Sequence, residues 1–262
     1  MSIRLTGKEE SLASDFPHLS HSRINRYLRC PEQYRLYYIE NLRSKYPSAS
    51  LLFGQIQHEA LASLLQNRGD PVAFFLAHWE TVRDSDLTYR KQTWEGLRQR
   101  GQILLEKFVT EQLPQIGEVK AVEEKFQLNI TGLDLPFIGI IDLISVSGGL
   151  TSVTDFKTAA SAYAGHEAIM SDQLTAYQLA VPEAEKLSLC LLIKTKEPRI
   201  EWHSSYRSGE RLVEYLTKVK LVTKQIQAGH FYKRPGQWCS SCEYLPICMG
   251  DWRKVKQTLV QI

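Results

Sequence analysis

The sequence lacks several features that would assign it to a specialised class. No stretch of its 262 residues approaches the roughly 20 consecutive apolar residues that a membrane-spanning helix needs. The N-terminus has no apolar run typical of a secretory signal, which predicts a cytoplasmic protein. There is no internal repeat and no glycine-rich phosphate loop of the kind that nucleotide-driven motors carry. We therefore expect no membrane partner and no ATPase or helicase motor in this chain.

Neither sign of charge dominates the composition. The 32 Lys and Arg residues nearly balance 29 Asp and Glu, which gives a net charge of +3 and a pI of about 8.5. A dedicated nucleic-acid-binding domain is usually more basic, so this charge permits such a partner without indicating one. Hydrophobic residues make up 43% and charged residues 23%, as in ordinary globular proteins. Composition alone leaves the function open.

Cysteine is scarce, but its positions are informative. Cys190 lies in an apolar run and is predicted to be a buried core thiol. The other four stand near the two ends of the chain: Cys30, Cys239, Cys242 and Cys248. Without an export signal, structural disulfides are not expected, and clustered cysteines indicate a metal site. Four thiolates suit an iron–sulfur cluster or tetrahedral Zn²⁺, although three clustered cysteines with one remote partner fit zinc-knuckle spacing poorly.

Hydrophobic periodicity predicts helices followed by a small sheet. Helices are expected over about 20–38, 54–66, 71–84 and 90–112. Strands are then expected over 118–130, 136–146 and 150–156, a helix over 165–181, strands over 187–194 and 199–206, a helix over 208–228, and a loop-like tail. This order predicts one α/β domain over 1–262, with a helical section at 20–115, a catalytic sheet core at 116–206 and the C-terminal helix and cysteines at 207–262.

The strongest chemical signal is a pair of acidic strands joined by Gly148-Gly149. Gly-Gly is a favoured two-residue hairpin turn, and it would place Asp142 opposite Asp155 with their Cβ atoms about 5 Å apart. Lys157, two residues beyond Asp155, projects from the same face. Asp142 is the only charge in a strand that is apolar on both sides, which predicts a buried central strand.

Two buried carboxylates that face each other repel, and this repulsion is costly unless something compensates it. A divalent cation would do so, and oxygen ligands suit Mg²⁺ or Mn²⁺. The structural alternative is that Lys157 pairs with one aspartate while the other faces solvent at a strand end.

An acidic residue on one hairpin strand, followed by Asp-x-Lys on the next, resembles the core of the PD-(D/E)XK nucleases. This chain has Ile141-Asp142 and then Asp155-Phe156-Lys157. Ile141 stands where the family's name calls for Pro, a departure that is common among RecB-like members.

Three flanking motifs strengthen the resemblance to the RecB-like branch. Gly54-x-x-x-His58 resembles that branch's helix whose histidine binds the metal, although a lone histidine is usually a core or boundary residue. Gln173-x-x-x-Tyr177 resembles the helix that faces the active site, and residues four apart share a helix face. The four-cysteine pattern resembles the iron–sulfur staple of AddB-type and CRISPR-associated RecB-like exonucleases.

The resemblance covers roughly residues 20–250 and implies a restriction-endonuclease-like α/β core, a small mixed sheet flanked by helices. It implies one Mg²⁺ or Mn²⁺ bound by four residues: His58, Asp142, Asp155 and the carbonyl of Phe156. It also implies a structural [4Fe–4S] cluster on the four cysteines, with Zn²⁺ as the alternative.

The same resemblance implies roles for the remaining site residues. Lys157 would orient the attacking water or stabilise charge on the phosphate, and Gln173 would position Lys157 or that water. Tyr177 would contact the DNA strand. Glu124 is a candidate outer carboxylate, although a surface strand residue is the simpler interpretation.

The resemblance implies a metal-dependent DNA exonuclease that acts on single-stranded DNA or DNA ends in repair, recombination or CRISPR-type processing. Helicase or other recombination proteins are compatible partners. A non-catalytic DNA-binding or scaffolding subunit is the alternative, and intact Asp142, Asp155 and Lys157 argue against it. A zinc protein with structural carboxylates is a third interpretation. The sequence leaves open RNA as substrate, polarity, strand preference, endo- or exonuclease action, oligomeric state and pathway.

Overall fold

The computed structural model describes residues 17–262 as two compact units. The cysteine unit comprises the described residues up to Tyr46, Gln127–Ile138 and Val213–Ile262, and the sheet unit comprises Pro47–Phe126 and Gly139–Leu212. Residues 1–16, on which the prediction of a cytoplasmic location depends, lie outside the described residues. In the described part of the chain, no helix has the length and apolar character to span a membrane. One nuclease domain over 1–262 stays a prediction.

The helices and strands follow the predicted order. The α-helices are α1 His21–Arg29, α2 Pro31–Tyr34, α3 Ala49–Leu65, α4 Pro71–Thr81, α5 Trp94–Lys107, α6 His166–Ile169, α7 Asp172–Ala180, α8 Gly209–Gln227, α9 Leu245–Met249 and α10 Trp252–Thr258. The strands are β1 Leu42–Ser44, β2 Glu118–Leu128, β3 Phe137–Ser147, β4 Leu150–Ala159, β5 Lys186–Ile193, β6 Arg199–Ser205 and β7 Leu259–Gln261. Two π-helical segments, Arg35–Ile39 and Phe108–Gln112, extend helical runs.

A five-stranded mixed sheet, in the order β2-β3-β4-β5-β6, organises the sheet unit. The β3–β4 hairpin turns at Gly148 and Gly149, which have φ of 59° and 83°, a conformation that glycine adopts without strain. Its pairs run from Leu143↔Thr154 to Ser147↔Leu150, which confirms the predicted register. β4 and β5 are parallel, so their carboxyl ends meet at one edge of the sheet.

Helices cover both faces of this sheet. One face carries Phe156, Cys190 and Leu192, which pack with buried side chains of α3, α4 and α5. The other face packs against α7 through residues that include Leu189 and Leu191. The predicted buried thiol of Cys190 is confirmed. The prediction of a sheet flanked by helices is also correct.

The position of β3 differs from the prediction. The central strand is β4, and β3 lies second in the sheet. Ile140 of β3 is 43% exposed because it borders an open cleft instead of a packed helix. The expected burial of β3 on both faces is therefore wrong at Ile140.

Local chemistry breaks two of the predicted helices. The helix expected over 20–38 stops at Cys30, which is extended (φ −162°, ψ 111°) because Pro31 disfavours helical geometry in the residue before it. Ser20 caps α1 by accepting from the Arg23 N–H. The helix expected over 165–181 breaks before α7, where Ser171 accepts from the Leu174 N–H as a new N-cap.

The C-terminal tail is more ordered than its loop-like sequence predicts. It contains a short 3-10 helix at Gln237–Ser241, then α9, α10 and β7. β7 pairs with β1 in an antiparallel two-stranded sheet, with Leu42 opposite Gln261. The Tyr244 hydroxyl donates to the Leu42 carbonyl at 2.7 Å, inside a small core of the cysteine unit.

Candidate active site

The predicted catalytic and metal-binding side chains all belong to the sheet unit. Asp142 lies on β3, Asp155 and Lys157 on β4, His58 on α3, and Gln173 and Tyr177 on α7. Contacts between neighbours join these side chains in one cluster, so the structure brings together elements that are distant in sequence.

The hairpin opens where the two aspartates stand. Backbone pairing ends at Leu143↔Thr154, one pair short of Asp142 and Asp155. The N–H of Phe156 then donates to Asp142 Oδ2 at 2.7 Å, and His58 Nδ1 lies 3.6 Å from the same oxygen. The Asp142 carboxylate therefore accepts the hydrogen bond that a backbone carbonyl of β3 would otherwise accept. Asp142 and Asp155 do not form the directly opposed pair that the sequence predicted.

A chain of hydrogen bonds links Lys157 to α7. Lys157 Nζ lies 2.9 Å from Asp155 Oδ2 and donates to Asp155 Oδ1 at 3.1 Å. It also donates to Gln173 Oε1 at 2.9 Å, and Gln173 Nε2 in turn donates to the Tyr177 hydroxyl at 2.8 Å. Gln173 and Tyr177 share a helix face, as their spacing predicted, and Gln173 holds the Lys157 ammonium in place.

Tyr177 is too buried to contact a DNA strand. It is 2% exposed, and its hydroxyl contacts the Ile140 carbonyl at 2.7 Å and Asp155 Oδ1 at 3.2 Å. A buried tyrosine hydroxyl needs such partners, because an unpaired polar group is costly away from water. The expected DNA contact of Tyr177 is thus wrong, and its position supports Asp155 instead.

Both aspartates are withdrawn from solvent. Asp142 is 9% and Asp155 1% exposed. Burial, followed by repulsion from Asp155, raises the pKa of Asp142 to about 8. The alternative in which one aspartate faces solvent at a strand end does not hold in the described structure.

The neighbouring cationic groups respond to the same burial. Burial lowers the pKa of His58 and outweighs the opposing effect of Asp155, so the imidazole favours its neutral form. Burial also acts to lower the pKa of Lys157, but the carboxylates of Asp155 and Asp142 outweigh it and raise that pKa. A neutral imidazole beside carboxylate oxygens is a donor set that binds divalent cations.

Two oxygens and one nitrogen of the cluster are available as donors to such a cation. Asp155 Oδ2 is buried and accepts no hydrogen bond, although Lys157 Nζ is 2.9 Å away in unsuitable geometry. Asp142 Oδ2 and His58 Nδ1 are the other donors of the cluster. An orphaned carboxylate oxygen beside a second buried carboxylate fits a divalent cation. As placed in residues 17–262, however, no three His, Cys, Asp or Glu side chains form a ready metal cluster.

An open cleft of about 1150 Å³ leads to this cluster. His58, Asp142 and Lys157 line the cleft, so its contents reach the carboxylate, the imidazole and the ammonium. Asp155 lies behind them, where Tyr177 and Lys157 hold it. A molecule in the cleft can therefore meet the Lys157 ammonium, the His58 imidazole and the Asp142 carboxylate together.

Glu123 is a cleft residue that the sequence interpretation missed. Glu124, the predicted outer carboxylate, is exposed and is not a cleft residue, whereas its neighbour Glu123 lines the cleft. Glu123 has φ of 54°, which breaks the two-residue alternation of β2. Glu123 is itself exposed, but partial desolvation, and then repulsion from Glu59, raise its pKa. The alternation of side-chain direction along β2 could not identify Glu123, because the backbone irregularity occurs at Glu123 itself.

The four predicted cluster cysteines line one cavity of the cysteine unit. This cavity has a volume of about 260 Å³, and its walls include Cys30, Cys239, Cys242 and Cys248. All of these thiols are free. Burial raises the pKa of Cys242 to about 11 and also raises that of Cys248, so a metal would have to hold them as thiolates. The four thiols share one largely apolar cavity, but as placed in residues 17–262 no three of them form a ready metal cluster.

Comparison with known proteins identifies a family and a related fold. The sequence model of the PD-(D/E)XK nuclease superfamily matches residues 18–249. A solved structure of a candidate exonuclease from Eubacterium rectale superposes with a TM-score of 0.57 at 13% identity, over 93% of this chain and 94% of that one. A second structure, of the protein SSO0001, gives a TM-score of 0.36 at 13% identity over 87% and 92% of the two chains. No curated protein sequence matches this chain. The likeness to the first structure agrees with the predicted restriction-endonuclease-like fold.

Proposed function

Because this chain belongs to the PD-(D/E)XK nuclease superfamily, we propose that it is a metal-dependent deoxyribonuclease with exonuclease action. The observation that carries the proposal is the buried pair Asp142 and Asp155, joined to Lys157 at the wall of an open cleft. Two buried carboxylates that repel each other would be costly in an inactive scaffold unless a cation compensates them. Single-stranded DNA or DNA ends are the proposed substrate.

The ligand set of the proposed site has four members. His58 Nδ1, Asp142 Oδ2, Asp155 Oδ2 and the Phe156 carbonyl would hold Mg²⁺ or Mn²⁺, the kind of ion that this superfamily generally uses. Such an ion, when bound, polarises the scissile phosphate and lowers the pKa of the attacking water. Neutral His58 suits this role, since a protonated imidazole would repel the ion.

The other side chains act on the substrate and on each other. Lys157 stabilises negative charge that develops on the phosphate, because its ammonium is fixed before the substrate arrives. Gln173 holds that ammonium through its Oε1, and Tyr177 holds Asp155 and Gln173 from inside the protein. Gln173 and Tyr177 are thus positioning residues, while Lys157 contacts the phosphate.

The function is tested by incubating the purified protein with end-labelled single- and double-stranded DNA, and with RNA, in Mg²⁺, Mn²⁺ or EDTA. Cleavage of DNA that requires metal and releases short products from one end is the expected result. Cleavage of RNA alone would change the substrate, and internal cuts alone would make it an endonuclease. A folded protein that cleaves nothing would favour the scaffolding function. The roles in repair, recombination or CRISPR-type processing, and the cytoplasmic location, belong to the same proposal.

We also propose that Cys30, Cys239, Cys242 and Cys248 bind a structural [4Fe–4S] cluster, with Zn²⁺ as the alternative. The shared cavity supports a single group bound by all four thiols. Such a group would close a loop of about 200 residues and lower the entropy of the unfolded chain. Its role is structural because the proposed hydrolysis needs no electron transfer.

Replacing Cys239 tests this cluster. Cys239→Ala is expected to remove the iron and sulfide of anaerobically purified protein and to lower its melting temperature, whereas Ser240→Ala, its exposed neighbour, leaves both unchanged. Zinc without iron in the wild type would establish the alternative. An unchanged melting temperature in Cys239→Ala would contradict a structural role.

A further inference from the structure

A lysine that the proposed chemistry does not use lies on the wall of the active-site cleft. Lys194 follows β5 directly, and its backbone N–H donates to the Ala159 carbonyl at 2.9 Å. It is 6% exposed, yet it is one of the residues that line the cleft with His58, Asp142 and Lys157. Its side chain is therefore buried in the protein while it borders the space that a substrate would fill.

The ammonium of Lys194 has no anionic partner in the part of the chain that the structure describes. Its charged neighbour is Arg100, which repels it, and its other contact is the ring of Phe53, 4.8 Å from Nζ. A ring face attracts a cation but does not neutralise it. Burial first, and then Arg100, lower the pKa of Lys194 to about 8. A buried cation that keeps no protein carboxylate is well suited to an external anion.

The sheet geometry separates Lys194 from the reacting centre. Parallel pairing sets Leu191 beside Lys157, so Lys194 lies three residues further along the chain, just beyond the end of β5. The backbone of Lys194 therefore lies about 10 Å from that of Lys157 along the strand direction and about 4.8 Å from it across the sheet. The two side chains also leave opposite faces of the sheet, since Lys157 contacts Gln173 of α7 and Lys194 contacts Phe53 of α3. One phosphate held by Lys157 is thus not the anion that meets Lys194.

The space beside Lys194 suits a phosphate group. Lys194 contacts Phe53 and Ala159, and the residues that follow these two in sequence are Gly54 and Ala160. Both are small and line the cleft. Thr158, another cleft residue, adds a hydroxyl donor there. A nucleic-acid strand that enters the site would carry its next phosphates along this wall.

We propose that Lys194 binds a backbone phosphate of the substrate strand, away from the scissile phosphate that Lys157 contacts. The inference rests on the proposed function, since it assumes that the cleft takes a phosphodiester strand. Such a contact reads no bases, so it strengthens binding of every sequence equally.

The test compares Lys194→Met, which keeps most of the side-chain volume, with Lys194→Arg, which keeps the charge. Lys186→Met is the matched control, because Lys186 is the exposed first residue of the same strand. The affinity for a short single-stranded oligonucleotide is measured in Ca²⁺ over a range of salt concentrations, with KM and kcat in Mn²⁺ and the melting temperature of each variant.

Lys194→Met is expected to weaken binding roughly tenfold, the effect of one charge-assisted hydrogen bond. Its salt slope should fall by roughly 0.7–0.9, the share of one phosphate contact. The loss falls on KM more than on kcat, the melting temperature does not fall, and Lys194→Arg keeps most of the affinity.

Three results would overturn the proposal. If wild type cleaves DNA and Lys194→Met has unchanged KM and salt slope, the phosphate contact is absent and the nuclease function stands. If both Lys194 variants melt lower in proportion to their loss of binding, Lys194 is a packing residue. If wild type binds no nucleic acid, both the phosphate contact of Lys194 and the proposed substrate are wrong. A salt slope that depends on Lys194 in a protein that never cleaves would instead support the contact and contradict the hydrolysis.

Discussion

At the scale of single residues, chemistry-bearing positions were predictable where chain order and alternation determine them. Asp155 and Lys157 are two apart on one strand, so they share a face whatever the tertiary structure. The role of Tyr177 was not predictable, because its 2% exposure depends on how α7 packs on the sheet. Lys194 lies in an unremarkable run of the sequence, and only the fold reveals its burial beside the cleft.

Gln173 provides a test of how the site is held. Gln173→Leu removes the acceptor of Lys157 and is expected to lower kcat roughly 10- to 100-fold, with KM close to wild type. Gln173→Glu keeps an acceptor and should retain more activity. Steady-state kinetics in Mn²⁺ make the measurement, with Gln178→Leu as control because Gln178 donates to carbonyls at the end of the same helix. A change confined to KM would assign Gln173 to substrate binding instead.

At the scale of elements, periodicity predicted most helices and strands, and short-range chemistry decided where they end. The hairpin register followed from Gly148-Gly149, because a two-residue turn leaves one way to pair the strands. Backbone pairing ends at Leu143↔Thr154, and at Asp142 the side chain takes the place of a backbone partner. The helix break at Cys30 was readable from Pro31, but the three-residue strands β1 and β7 carry too little pattern to predict.

Helix α3 offers a test at this scale, because it approaches β4 at Gly54. A Cβ at Gly54 would lie 2.9 Å from Thr158 Oγ1, so in Gly54→Ala either the Thr158 side chain or α3, which carries His58, must shift. Overpacking costs about 1–3 kcal/mol, which outweighs the gain of about 1 kcal/mol that alanine brings to a helix interior. We expect Gly54→Ala to lower both the free energy of unfolding and the cleavage rate.

The second variant removes the opposing group. In a Thr158→Ala background the contact is gone, so Gly54→Ala should then raise the free energy of unfolding by about 1 kcal/mol. Denaturant titrations of wild type, the two single variants and the double variant measure the coupling between Gly54 and Thr158. If Gly54→Ala lowers stability equally in both backgrounds, close approach to Thr158 is not the reason for the glycine.

At the scale of the whole molecule, each unit contains its own candidate site. The carboxylates, Lys157 and Lys194 belong to the sheet unit, and the four cysteines belong to the cysteine unit. The order of motifs along the chain predicted the superfamily, which the family match then established. The division into units was not predictable, because each unit is assembled from separated segments, and three of the four boundaries fall inside β2, β3 and α8.

The central claim is that the buried carboxylates are retained to bind a catalytic cation, and Asp142→Asn tests it most directly. Removing one of two repelling carboxylates should raise the melting temperature of the metal-free protein, and it should abolish the rise that Mn²⁺ causes in wild type. Cleavage should fall roughly 100-fold or more, while Asp134→Asn, an exposed loop variant, matches wild type. An Asp142→Asn protein that still cleaves DNA, or that Mn²⁺ still stabilises as it does wild type, would contradict the account.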